Sequence, residues 1–316
     1  MRPNSMTTTG RDVAGTLLVC GASNTDLVCT TDRLPRPGET VASISFDVFP
    51  GGKAANQAVS AARCGASVVF VGAFGDDAYG SARRAELAAA GIDLRFCDQV
   101  AGVPSGLALI AVDQQGENQI ITVAGANASV RVELLDAAIE ACRPDVLLFP
   151  NEAPAAIVER LASHPVAALK LCNAAPFTED LRPLAGQLDY LICNEIEAAG
   201  FLGRKVLPGE DAREAVRELA ELPRRGAIVT LGEHGAVGCA DGAVIDVPAP
   251  VVDVVDTTGA GDAFCGAFAA WIAGGSSFED AVRAGVQSGS LAVTRAGAQP
   301  SLPDRGQILE RLRLAV

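Results

Sequence analysis

The chain has 316 residues, 49% of them hydrophobic and 20% charged, a globular composition long enough for one large α/β domain. Its formal net charge of −13 argues against a nucleic-acid or anionic-membrane surface, and Lys53, Lys170 and Lys205 form no basic patch. The nine cysteines contain no CxxC pair, and Cys20, Cys172 and Cys193 fall in apolar runs, which suggests a reduced, cytoplasmic protein without a zinc site.

The opening "MRPNSMTTTGRDVAG" lacks the apolar core of a signal peptide. Residues 1–12 are therefore expected to be a disordered tail, with Met6 an alternative start, and 13–316 to form the folded domain. No apolar run approaches the roughly 20 residues that span a bilayer. "TLLVCGA" predicts a strand, "KAANQAVSAARCG" a helix, "SVVFVGA" a strand, and "DAYGSARRAELAAAG" a helix ending at Gly91. "DVLLF", "AALKLCNA", "DYLICN" and "GAIVTLG" repeat the buried-strand pattern with helical stretches between most of them. This rhythm predicts a largely parallel sheet sandwiched by helices, with ligands beyond the carboxyl ends of the strands.

Two segments, about 27–49 and 94–123, carry strand-like runs and turns but no helix, and "LALIAVD-QQGE-NQIITV" reads as a hairpin. They are expected to form a small β lid over the cleft; the alternative is edge strands of the main sheet.

Chemistry concentrates at the ends of the predicted strands. In "DTTGAGDAF", consecutive amides at Gly259, Ala260 and Gly261 can converge on an oxyanion at a helix mouth, with Asp262 beside it. A base placed there suits phosphoryl transfer, and a plain N-cap aspartate is the simpler alternative. In "FPGGKAANQAV" a glycine pair permits close backbone approach, and Asn56 lies one turn from Lys53. An ordinary turn and helix start explains that motif equally well.

Asn194 and Glu197 in "NEIE" stand three apart, able to organise Mg²⁺ and its waters or simply to cap a helix. "TLGEHG" around Thr230 and Gly232 suits a nucleotide edge. Neither a P-loop nor GxGxxG is present, since Ala54 follows Lys53 and "GASNTD" follows the first strand. His164, next to Pro165, is read as a surface loop residue and His234 as structural, and two histidines support no Ser-His-Asp triad.

Together "GGKAANQAVSAARCGA", "NAAP", "NEIEA", "TLGEHG", "DTTGAGDAFCGAF" and "VTRAGAQPSLP" resemble, in order, the motifs of the ribokinase branch of the PfkB carbohydrate kinase family, over residues 15 to 305. The resemblance implies an α/β fold with a mostly parallel central sheet, helices on both faces and a small β lid, two lids clasping into a homodimer. It implies that Asp262 is the catalytic base and that Gly259, Ala260 and Gly261 form the anion hole. Asn24, Asp26, Gly52, Lys53, Asn56 and Glu152 would bind the sugar. Asn194, Glu197, Thr230, Gly232, Gly235 and Gly261 would bind ATP, with Asn194 and Glu197 ordering Mg²⁺ indirectly. A monovalent cation, K⁺, would be held by Asp256, the backbone of Thr258, Ala292, Arg295 and Gly297, and Ser301.

Two departures stand out: Ala54 replaces the usual glycine of "GGKGANQ", placing a methyl near the expected sugar pocket, and "NAAP" replaces "NPAP". The expected reaction is ATP-dependent phosphorylation of a primary hydroxyl, D-ribose to D-ribose 5-phosphate first. Kinases acting on a nucleoside, deoxyribose or fructose are the alternatives within the family. A non-catalytic sugar or nucleotide sensor is the alternative outside it. Only 4% of residues are aromatic, which favours a bare sugar over a base-binding slot.

Overall fold

The computed structural model describes residues 15–314, so the tail expected over 1–12 lies outside the described residues. Strands and helices are numbered in chain order. The main sheet runs β14 (Ala243–Val247), β13 (Ala236–Ala240), β12 (Gly226–Thr230), β11 (Tyr190–Asn194), β10 (Leu169–Asn173), β9 (Val146–Pro150), β1 (Thr16–Cys20) and β4 (Ser67–Val71). From β4 to β12 every pairing is parallel; β13 and β14 add an antiparallel edge. These two strands lie outside the runs from which the sequence predicts strands. Short Ala/Gly-rich runs hide the pair, but Asp241-Gly242, with φ of 50° and 76°, is the tight two-residue turn that joins such strands.

The strands are continuous apolar runs because both faces are covered. Leu17 and Val19 of β1 point into one core with α1 (Lys53–Arg63), α7 (Ala260–Ala273) and α8 (Phe278–Ala292). Leu18 and Cys20 point into the other, built with α3 (Val132–Cys142), α4 (Ala155–Ser163), α5 (Glu195–Leu202) and α6 (Glu210–Ala220). Leu87 of α2 (Ala78–Ala89) and Ile308 of α10 (Arg305–Leu314) join the first core. The short α9 (Ala298–Ser301) packs beside α1 and α8.

A second sheet, separate from the main one, has the order β3 (Ser43–Gly51), β2 (Asn24–Thr31), β7 (Gly106–Val112), β8 (Asn118–Val123). Its strands start at Asn24, earlier than the 27–49 insertion, and β7 and β8 form the expected antiparallel hairpin. The 94–123 segment divides: Asp98–Val100 (β6) pairs instead with Ala73–Gly75 (β5) in a two-stranded sheet. Alternation gives the second sheet two unlike faces. Val48, Leu27, Leu109 and Ile121 stand opposite one another on one face, while Asp26, Phe49, Ala108 and Thr122 share the other.

Candidate active site

The site forms where α1 meets α7. Gly266 makes that meeting close: a Cβ there would lie 2.4 Å from Ser60 Cβ and 2.5 Å from the Gln57 carbonyl oxygen. Ser60 Oγ then donates to the Ala263 carbonyl at 3.0 Å. One turn nearer the helix mouths, Asn56 Nδ2 and Gln57 Nε2 donate to the two carboxylate oxygens of Asp262, each at 2.9 Å. Gln57 Nε2 also reaches Asn173 Oδ1, at the end of β10, at 3.1 Å. Asp262 is thus buried and held by two amides rather than left to rotate. Burial pushes its carboxyl above the ordinary range, opposed by Lys53, Asn56 and Gln57.

Lys53 is the charge at the centre. Burial works against its ammonium, but the carboxylates of Asp262, Glu152 and Glu197 hold its pKa above the usual value. Glu152, just beyond β9, accepts from the Ala54 amide at 3.1 Å and so closes the open amino end of α1. Burial pushes the Glu152 carboxyl up to about 7 against the pull of Lys53 and that amide. Asp26 on β2 is pushed by burial up to about 6, with Arg83 and Lys53 lowering it and Asp262 raising it.

Gly51 is glycine because of Asp26, since a Cβ there would come within 2.2 Å of its carboxylate. Gly52, at φ 89°, caps α1 and lies against the backbone of residues 22–24. Asn24 Oδ1 accepts from Asn127 Nδ2 at 2.7 Å, and Asn127 Oδ1 accepts from the Ser23 amide at 3.0 Å. The Ala54 methyl does not reach the cleft: the residue is fully buried and packs against Gly21, correcting the expectation that it intrudes near the sugar pocket.

The start of α7 is open. Gly259 turns the chain at φ 79° and packs against Ala298. The Ala260 amide makes a long bond, 3.3 Å, to the Thr257 carbonyl. The amides of Gly259, Gly261 and Asp262 have no acceptor among the described residues. A Cβ on Gly261 would touch nothing, because two chambers join there. A chamber of about 170 Å³ is lined by Lys53, Asn173, Glu197, Asp262 and Cys265. One of about 820 Å³, the size of a nucleotide site, is lined by Gly232, Gly235, Val251, Val254 and Val286 among others. Asn194, Thr230 and Gly261 line both.

Of the two roles weighed for Asn194 and Glu197, the structure shows the helix cap. They form a reciprocal capping box on α5, each side chain accepting the other's amide at 2.9 Å, and both face the smaller chamber. Burial raises the Glu197 carboxyl, opposed by the Asn194 amide and Lys53. Asp256 lies on the loop before α7: its oxygens accept from Thr258 N at 2.9 Å and Gly297 N at 2.8 Å. Burial pushes its carboxyl up, but those bonds outweigh it and hold the group below the usual range. Ala292 and Arg295 follow at the end of α8, joined by a 3.3 Å backbone bond, and Ser301 Oγ donates to the Ala298 carbonyl at 2.8 Å.

Sequence reasoning assigned no role to Gln57, Asn173 or Asn127. Asn173 stood within the quoted "NAAP" at a strand end, which was a usable signal; Gln57 and Asn127 offered none beyond residue type.

A buried carboxylate beside unclaimed helix-mouth amides, set between a small polar chamber and a nucleotide-sized one, defines a phosphotransferase of the α/β class. Residues 15–305 match the pfkB family carbohydrate kinase model, and the chain belongs to that family. It is similar to the ribokinase of Bacillus subtilis, 36% identical over 301 residues covering 94% of this chain and 99% of that one. It is also similar to the deoxyribokinase of Salmonella typhi, 33% identical over 304 residues, covering 94% and 99%. The structure of Arabidopsis thaliana ribokinase complexed with ribose and ATP matches with a TM-score of 0.86 and 31% identity, covering 95% of this chain and 99% of that one.

Proposed function

We propose that this carbohydrate kinase transfers the γ-phosphoryl group of ATP to the primary hydroxyl of D-ribose, giving D-ribose 5-phosphate and ADP. The observation that carries the reading is Asp262, fixed by Asn56 and Gln57 where the two chambers join at Gly261. The sugar hydroxyl gives its proton to the Asp262 carboxylate as its oxygen bonds to the γ-phosphorus, and the bond from that phosphorus to the bridging oxygen of ADP breaks. The amides of Gly259 and Gly261 stabilise charge on the transferring group, with the Ala260 amide, loosely bonded to the Thr257 carbonyl, beside them. Asn24, Asp26, Gly52, Lys53, Asn56 and Glu152 receive the sugar. Thr230, Gly232 and Gly235 line the nucleotide end.

Asn194 and Glu197 supply the oxygen ligands or water acceptors a Mg²⁺–phosphate group needs. The ionised Asp256, the loop carbonyls of Thr258, Ala292, Arg295 and Gly297, and a Ser301 oxygen whose proton is already donated suit K⁺. When bound, the divalent ion neutralises phosphate charge and the monovalent ion stiffens the loop behind the amides. The unpartnered row of Phe46, Val48, Leu109, Ile121 and Val123 on the second sheet supports a homodimer in which two such sheets, acting as lids, pack together. All nine cysteines are free, which supports a cytoplasmic setting. No helix among the described residues is long and apolar enough to cross a membrane.

A coupled ADP-release assay with MgATP tests the reading against D-ribose, 2-deoxyribose, fructose, adenosine, cytidine and pseudouridine, with and without K⁺. The expected result is highest turnover on ribose, raised by K⁺. Preference for deoxyribose or a nucleoside would keep the chemistry and overturn the substrate. Ribose binding without turnover of any of them would make the protein a sensor.

A further inference from the structure

The inward stripe of α2 reads Gly80, Arg83, Leu87. An arginine between a glycine and a leucine on a buried stripe is out of pattern, and Arg83 is only 7% exposed. Its Nη2 donates to Glu86 Oε1 at 2.8 Å on the solvent side. Nε and Nη1 are buried without a hydrogen-bond partner. A buried guanidinium with two idle donors is costly unless a charged group answers it.

The carboxyl its charge bears on is that of Asp26, although its ion pair among the described residues is with Glu86. α2 packs directly against β2, and Arg83 exerts the largest charge effect on the Asp26 carboxyl, ahead of Asp262 from α7 and Lys53 from α1. From β3, the Cβ-less Gly51 closes over the same carboxylate. The spacing is held by a second network. Asp77 caps α2 through Gly80 N at 2.7 Å and accepts from Ser105 N at 2.8 Å and Ser105 Oγ at 2.6 Å. Ser105 immediately precedes β7, which pairs with β2 and places Ala108 opposite Asp26. The helix bearing Arg83 is therefore tied to the root of the sheet bearing Asp26.

We propose that Arg83 is the counter-ion of Asp26: a positioning residue that acts through that carboxylate and sets how it is presented to the hydroxyls of the acceptor sugar. The proposal rests on the sugar-kinase reading for its consequence and on the packing of α2 against β2 for its geometry. Arg83 itself touches no reacting atom. Without its charge, Asp26 faces Asp262 with only Lys53 to offset it, and protonation sets in at higher pH.

The direct test is a ¹³C-carboxyl NMR titration of the sugar-free protein, with the Asp26 resonance assigned by its loss in Asp26→Asn. In Arg83→Gln the Asp26 midpoint is expected to move up by about one pH unit or more, and Arg83→Lys to restore most of it. In the kinase assay the ribose KM should rise and the acid limb of kcat/KM should move up with the midpoint, while kcat changes little. A midpoint unmoved in Arg83→Gln overturns the proposal. Should that variant not fold, Arg83→Met, which fills similar space without charge, carries the same comparison. The titration needs no turnover, so an inactive wild type would overturn the ribose reading and leave this inference separately testable.

Discussion

Two helix mouths face the same cleft and are finished in opposite ways. At α1 the chain supplies its own acceptor: Glu152 takes the Ala54 amide, and the helix end is closed by a residue from the tip of β9. At α7 a left-handed glycine opens the helix, and the amides of Gly259, Gly261 and Asp262 are left without acceptors among the described residues. Both ends carry the same partial positive charge. The closed one fixes a carboxylate beside Lys53; the open one leaves room for an anion from outside. On the proposed reaction, the closed mouth positions the sugar and the open one receives phosphate.

Substitutions can break either side of that comparison. The largest effect belongs to Asp262→Asn, which removes the proton acceptor and turns one accepting oxygen into a donor that the unpartnered Asn56 Oδ1 can answer by an amide flip. It should lower kcat by about 10²–10⁴-fold with the ribose KM and Tm nearly unchanged, as steady-state kinetics and calorimetry would show. Gly261→Ala should also be kinetic alone. Its Cβ meets nothing in the protein but enters the junction of the chambers, so kcat should fall by about 10–10²-fold at unchanged Tm.

Gly266→Val presses on Ser60 and Gln57. It should cost about 1–3 kcal/mol in a denaturant titration and lower kcat through the displaced amides. A Gly266→Val protein with wild-type stability and rate would show that the α1–α7 approach does not set the site.

The closed mouth carries the pH dependence. The Glu152 and Asp26 carboxyls are pushed up to about 7 and about 6, so kcat/KM for ribose should fall as pH drops through those values and both groups take up protons. Glu152→Gln should remove the upper of the two steps. Because each carboxyl holds its proton more tightly folded than unfolded, its contribution to stability declines as pH rises from its ordinary value through the folded one. Chemical denaturation between about pH 4 and pH 7 checks that sign. The smallest effect is on association: Ile121→Asp on the exposed row of the second sheet should shift the mass in light scattering from dimer to monomer with the ribose rate per chain preserved.

What the sequence disclosed and withheld follows from locality. Gly259 to Asp262 are contiguous, so the glycine turn and its aspartate could be read together, and strand ends marked Asn194 and Thr230. Gln57 could not be read, because its role exists only when α1 lies against α7, 205 residues away. Ala54 lies away from the expected pocket for a geometric reason. Two residues before Asn56, it points to nearly the opposite side of α1, into Gly21 rather than the cleft. The parallel sheet was legible in its unbroken apolar runs. The β13–β14 edge was not, being short and small-residued, although its Asp-Gly turn was in plain view.

Whether the open mouth of α7 receives the transferring phosphoryl group beside Asp262 can be seen in a crystal structure with D-ribose, MgADP and aluminium fluoride as a mimic of that group. The aluminium fluoride should lie within hydrogen-bond distance of the Gly259 and Gly261 amides, with the ribose primary hydroxyl against the Asp262 carboxylate. A mimic bound away from those amides, or a primary hydroxyl turned away from Asp262, would contradict it.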